Sequence, residues 1–182
     1  MAIWGGLIKN SPTYFRNMKN LVLFFIGIFL TLTATAQKPV ANPEYQKMLD
    51  TLLTHSVKEL SPKEVQPNKD VVFLDTRAKK EFKVSHIDGA IWVGFLSFNK
   101  RRVKDIPKDK KIILYCSVGY RSEKIAEKLQ EEGFTDVHNL YGGIFEWVNE
   151  SKTVVNDRGS TQEVHPYNNE WGQWLDKGTK IY

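Results

Sequence analysis

Two four-residue apolar runs, Val71-Val72-Phe73-Leu74 and Ile112-Ile113-Leu114-Tyr115, constrain this chain more than any other feature. A strand with one wet face alternates apolar and polar residues, and neither run does. Each is bounded by polar residues and needs cover on both faces, which a parallel sheet between helices supplies. A weaker run at 137–140 and a short one at 57–60 read as further strands. Between them the spacing predicts helices at 78–84, weakly at 98–103, and strongly at 122–132, where Ile125, Ala126 and Leu129 share a face and Gly133 ends the run. Ser61-Pro62-Lys63-Glu64 has the residues of a capping box in their places and starts a short helix. The expected fold class is therefore α/β: an open, mainly parallel sheet flanked by helices, with ligands beyond the carboxyl ends of the strands. Cys116 follows the second run directly and stands at such an end.

Four stretches divide the chain. Residues 21–36 carry no charge, follow Arg16 and Lys19, and close on Ala34-Thr35-Ala36, a small-x-small cleavage signature before Gln37. Residues 1–36 thus read as a signal peptide, with Met18 the expected start, and the protein as exported to a periplasm or beyond. An uncleaved anchor is the alternative, but a span needs about 20 apolar residues. Residues 37–56 form a helical extension, with Tyr45, Met48, Leu49, Leu52 and Leu53 at helical spacing over 43–55. The main domain is expected at 57–150. Residues 151–182 read as an irregular tail, docked through Tyr167, Trp171, Trp174 and Tyr182.

The formal charge of +5 shrinks once the leader is set aside, since residues 1–36 hold Lys9, Arg16 and Lys19 and no acid, leaving 23 bases against 21 acids. That near-neutral balance speaks against nucleic acid as a partner. The local cluster Lys100, Arg101, Arg102 and Lys104 reads as a solvated helix face, with attraction of an anionic substrate as the alternative. His55, His138 and His165 have no metal-ligand spacing with one another or with Cys116, so no metal and no cofactor are expected. His86 is expected to serve structure through a hydrogen bond.

The chemistry concentrates at Cys116-Ser117-Val118-Gly119-Tyr120-Arg121-Ser122, between a buried strand and a helix start. A tight loop there turns backbone N–H groups inward and adds the positive end of a helix, so an anion is favoured at its centre. Gly119 permits the turn. Arg121 either faces the sulfur or pairs outward with an acid such as Glu123. In this setting a thiol pKa falls from about 8.5 into the range of roughly 3.5 to 7.5. Taken alone, Cys116 reads as a small buried apolar residue; the loop, glycine and arginine around it point instead to a reactive thiolate.

Over residues 57–149 the sequence resembles the rhodanese family. Phe73-Leu74-Asp75-Thr76-Arg77 is similar to the family's hydrophobic-Asp-x-Arg strand end, and Glu81-Phe82 with Ser85-His86-Ile87-Asp88-Gly89-Ala90 to its E-[FY] and G-H-I-x-G-A segments, Ser85 replacing the commoner Gly. Cys116 to Ser122 resembles its C-x-x-G-x-R-S loop, and Leu140-Tyr141-Gly142-Gly143-Ile144-Phe145-Glu146-Trp147 its L-x-G-G-x-x-x-W element. The resemblance implies a sulfurtransferase in which Cys116 takes sulfane sulfur from a small anionic donor such as thiosulfate, forming a persulfide, and yields it to a thiol or cyanide. Backbone N–H groups from Ser117, Val118, Gly119, Tyr120 and Arg121 would hold the anionic sulfur, with Asp75 and Arg77 supporting the loop; Gly142 and Gly143 would serve backbone geometry.

Two rivals remain. A cysteine-dependent phosphatase of the related cell-cycle type has five residues between its Cys and Arg, where this chain has four. A non-catalytic binding module of the same fold is the other, although such domains often lack the Cys. A thioredoxin-like enzyme is disfavoured because Cys116 has no partner two residues on.

Overall fold

The computed structural model describes residues 40–182. The leader assigned to residues 1–36 lies outside them, and among the described residues no helix is long and apolar enough to cross a membrane. The described residues open with α1 (Pro43–Leu52), capped by the Asn42 side chain, which accepts from the backbone N–H groups of Glu44 and Tyr45. There follow β1 (Lys58–Leu60), a 3-10 turn (Pro62–Glu64), β2 (Val71–Asp75), α2 (Lys79–Val84) and β3 (Ile91–Trp92). A second 3-10 turn (Lys100–Val103) leads to β4 (Lys111–Tyr115), α3 (Tyr120–Glu131), β5 (Val137–Leu140) and α4 (Gly143–Asn149). The tail contains β6 (Val154–Asn156), β7 (Gly159–Thr161), β8 (Glu163–Val164), α5 (Asn169–Gly172) and β9 (Thr179–Lys180).

Strands β1 to β5 form one sheet in the order β1-β5-β4-β2-β3, and every neighbouring pair is parallel. Both apolar runs occupy its middle and feed two cores. Phe73, Ile113 and Tyr115 point to the face covered by α1 and α4, whereas Leu74, Ile112 and Leu114 point to the face covered by α3. This is the two-sided burial that the unbroken apolar runs require. The order also reverses here: β2 continues outward to β3 and β4 continues the other way to β5. The crevice beyond the carboxyl ends of β2 and β4 is therefore the place where this topology opens for a ligand.

Most expected elements recur with small shifts. The 122–132 helix starts two residues earlier, at Tyr120, and Gly133 ends it with φ 86°, while the Phe134 N–H donates to Leu129 O. The weak pattern at 98–103 is a 3-10 turn, and its basic residues are partly structural: the Arg102 guanidinium donates to Val93 O and Ser97 O and stacks on Trp92. Strand β3 and helix α4 were not expected from periodicity, because two and seven residues are too short to show any.

The two extensions both pack on the domain. Tyr45 and Leu49 of α1 are fully buried, each side chain contributing roughly 1.5–3 kcal/mol of apolar burial. The Tyr45 hydroxyl donates to Gly142 O at 2.8 Å and its ring stacks on Trp174 of the tail at 5.3 Å. The tail is more regular than expected: β6 and β7 make a hairpin, and β8 pairs with β9 in parallel. Of its four aromatics, Trp171 and Trp174 pack on the core, while Tyr167 and Tyr182 stay largely exposed.

Candidate active site

Cys116 immediately follows β4, at the mouth of the crevice, and is buried. What fixes the loop after it is a set of bonds to its carbonyl groups. The N–H of Ile144 donates to Cys116 O at 2.9 Å and that of Phe145 to Ser117 O at 3.1 Å. Gly119 O accepts from the Glu123 N–H, the Ser122 hydroxyl and the Asn139 side-chain amide. With the carbonyls drawn outward, the N–H groups are left facing in. The Gly119 N–H points at Cys116 Sγ, 3.1 Å away, and those of Val118 and Ser122 also bear on the sulfur.

Two glycines make this possible. Gly119 sits at φ 121°, which an L side chain disfavours, and so turns the chain into α3. Gly143, at φ 58°, lets α4 approach until an added Cβ would lie 2.5 Å from both Cys116 O and Ser117 O.

Arg121 combines its two sequence-based alternatives: its charge bears on the Cys116 sulfur, and it also pairs with an acid. It does not pair with Glu123, whose carboxylate instead accepts from the backbone N–H groups of Thr54 and Ser56. Its guanidinium forms a two-pronged pair with Glu81, both N···O distances 3.0 Å, and donates to the Ser117 hydroxyl at 2.9 Å. Glu81 also accepts from the Ala78 N–H and the Ser117 hydroxyl, so this carboxylate ties α2 to the loop. Burial would raise the Glu81 pKa; the hydrogen bonds and charge of Arg121, with Arg77 further off, outweigh it and hold the carboxyl below its ordinary value.

The same contest governs the nucleophile. Burial pushes the Cys116 thiol up, but the Arg121 charge and the N–H groups of Ser122, Gly119 and Val118 pull harder, and the net shift is downward. The site therefore favours a thiolate at lower pH than a free cysteine does.

The remaining expected residues fall into place differently. Asp75 and Arg77 bond chiefly to each other, fully buried, at 2.6 Å, and Arg77 also donates to Ser85 O. Their support of the loop is indirect. The neighbouring Thr76 makes the contact, its N–H and hydroxyl both donating to Tyr115 O, one residue before Cys116. Ser117 contributes its hydroxyl to Arg121 and Glu81, and Tyr120 opens α3 with its side chain half exposed. Of the expected N–H groups, those of Val118 and Gly119 bear on the sulfur, joined by that of Ser122, which lay outside the expected set. His86 serves structure, stacking on Phe82 with its Nδ1 3.0 Å from Phe82 O. Among the described residues no group of three His, Cys, Asp or Glu could hold a metal.

Sequence reading missed Glu81 as a site residue although it lay in a quoted segment, because nothing local says which cation it meets 40 positions on. If Arg121 holds the thiolate as this geometry implies, Arg121→Ala should raise the Cys116 pKa, followed by thiolate absorbance, and slow reaction at the sulfur about tenfold or more. That loss matches about 1.5–3 kcal/mol for charge-assisted hydrogen bonds. Lys should restore charge without the planar fork and recover little. An unchanged pKa in the Ala variant would mean that the N–H groups and helix terminus suffice.

A parallel α/β sheet with one cysteine cradled at the carboxyl end of its middle strand defines a cysteine-loop α/β domain. Comparison with known proteins gives the family: the sequence model of the rhodanese-like domain matches residues 58–150, and the chain belongs to that family. Among curated proteins it is similar to tRNA uridine(34) hydroxylases, 29% identical to that of Onion yellows phytoplasma over 77% of this chain and 48% of the relative. With the Bacillus cereus protein it shares 37% identity over 54% of this chain and 34% of the relative. The chain thus spans about a third to a half of the length of these relatives. Among solved structures, the BH2092 protein from Bacillus halodurans superposes with a TM-score of 0.51 at 27% identity, covering 65% of this chain and 89% of that one.

Proposed function

We propose that this chain is a sulfurtransferase that moves sulfane sulfur from a small anionic donor such as thiosulfate to a thiophilic acceptor, with Cys116 as carrier. The observation that carries the reading is the convergence of the Val118, Gly119 and Ser122 N–H groups and the Arg121 charge on one sulfur atom. In the first half-reaction the Cys116 thiolate attacks the outer sulfur of thiosulfate, the sulfur–sulfur bond of the donor breaks, and sulfite leaves with the electron pair. The terminal sulfur of the persulfide is anionic, and the inward N–H groups stabilise it as an oxyanion hole does oxygen. In the second half-reaction an acceptor thiol or cyanide attacks that terminal sulfur and returns the thiolate, a ping-pong cycle.

The loop supports sulfur over phosphoryl transfer. Four residues separate Cys116 from Arg121, and the guanidinium is already engaged by Glu81 and Ser117 instead of standing free for a phosphate. Export after removal of residues 1–36 belongs to the same proposal and is supported by the sequence of that segment. Intact mass tests both parts. The exported form should begin at Gln37, and incubation with thiosulfate should add one sulfur atom, removable by cyanide. No mass gain with a reduced, folded protein would overturn the catalytic reading in favour of a binding module.

A further inference from the structure

The tail places an aromatic ring on the site from outside the residues that match the family, 58–150. Its turn at 165–168 is held in a demanding shape. Tyr167 has φ 69°, a conformation that residues with side chains seldom adopt without support from their surroundings. The support is specific: the Tyr167 N–H donates to His165 Nδ1 at 3.0 Å, and His165 is itself buried. Gly172 of α5 lies so close to Pro166 that an added Cβ would meet the proline Cβ at 3.0 Å. Asn168 caps α5 by accepting from the Trp171 N–H. Strain fixed by this many contacts points to a function for the residue it presents.

What it presents is the Tyr167 ring, whose centroid lies 5.1 Å from Arg121 Cζ. The terminal N–H groups of Arg121 are directed, in its own plane, at Glu81 and Ser117. Beyond these in-plane bonds, the guanidinium carbon lies over the face of the Tyr167 ring. A cation gains most from such a face when water is excluded; the Arg121 side chain is 18% exposed and Tyr167 48%. The other charged groups are placed elsewhere: Glu81 meets the guanidinium edge-on from α2, Cys116 from the loop, and Arg77 and Lys80 bear on His165. Tyr45 of α1 lies within electrostatic reach of Cys116, and burial pushes its hydroxyl up and keeps it neutral.

We propose that Tyr167 is a positioning residue for sulfur transfer: with Arg121 over its ring, it keeps the guanidinium in register with Glu81, Ser117 and the Cys116 sulfur and sheds water from it. The tail then tunes the nucleophile without touching it. This deepens the sulfurtransferase reading and rests on it for the choice of donor. The ring matters and the hydroxyl does not, so Tyr167→Phe should behave as the parent, whereas Tyr167→Ala should lose the effect.

The test uses the full chain and two readouts. Thiolate absorbance against pH gives the Cys116 pKa with no substrate present, and the thiosulfate dependence of sulfur loading gives KM and the maximal rate. In Tyr167→Ala the Cys116 pKa should rise by about half a pH unit, a roughly threefold loss of thiolate below it, with the thiosulfate KM raised by a similar factor. Tyr167→Phe should restore both. An Ala variant with the parent's pKa, or a Phe variant shifted as far as Ala, overturns the proposal. Should the parent protein take up no sulfur, the sulfurtransferase reading fails by itself, while the titration still decides whether Tyr167 acts on Cys116.

Discussion

Replacing Cys116 by Ser should abolish sulfur loading and leave the melting temperature within a few degrees of the parent's. The two halves of this expectation have separate causes. A hydroxyl cannot form the persulfide, and its own ionisation lies far above working pH, so the covalent step has no nucleophile. The loop carbonyls, on the other hand, are held without the sulfur: Ile144, Phe145, Ser122 and Asn139 hold them through bonds that do not involve Sγ. Serine nearly matches the thiol in size and can still accept from Gly119. Loading by mass after thiosulfate and a thermal melt give the two answers, and retention of more than about a tenth of the parent rate would contradict covalent catalysis at this residue.

The second large effect is expected at a residue with no chemistry of its own. Gly143→Ala puts a methyl group 2.5 Å from two carbonyl oxygens and 2.7 Å from the Ser117 carbonyl carbon, all of them backbone. None of these can swing aside as a flexible side chain would. Either α4 retreats, breaking the Ile144 and Phe145 bonds to the loop, or the loop shifts and its N–H groups lose their aim at the sulfur. Overpacking alone costs about 1–3 kcal/mol, and the left-handed backbone at φ 58° adds roughly 1 kcal/mol for a residue bearing a Cβ. The variant should therefore unfold at lower denaturant and load sulfur at least tenfold more slowly, with the Cys116 pKa raised. A variant equal to the parent in denaturant midpoint and Cys116 pKa would show that α4 does not brace the loop.

The parts of this molecule that sequence made legible are those in which pattern and chemistry are local. The unbroken apolar runs at 71–74 and 112–115 imposed two-sided cover, and the sheet places their residues alternately in two cores. The loop from Cys116 to Ser122 announced its turn through Gly119 and its helix start by position. Long-range partners were another matter. Arg121 was left between facing the sulfur and pairing with an acid such as Glu123; its acid partner, Glu81, lies 40 positions away, and the helix carries Glu123 round to accept from the segment after α1. Likewise the Gly142-Gly143 pair was read as backbone geometry without the reason, which for Gly143 is the close approach of α4 to the loop carbonyls. The role proposed for Tyr167 depends on a turn whose positive φ no periodicity reveals.

The way α1 is buried bears on how the chain acquires its fold. Tyr45 is satisfied by Gly142, 97 positions later, and by the ring of Trp174, later still. Until those residues are available, Tyr45 lacks its hydrogen-bond acceptor and its stacking partner, and a ten-residue helix is marginal without tertiary cover. Closing contacts over so many residues carries an entropic cost that nearer contacts do not, and a high share of distant contacts slows folding. The first helix among the described residues is thus expected to be secured late, with the Tyr45–Trp174 stack as a clasp between the two ends of the described chain.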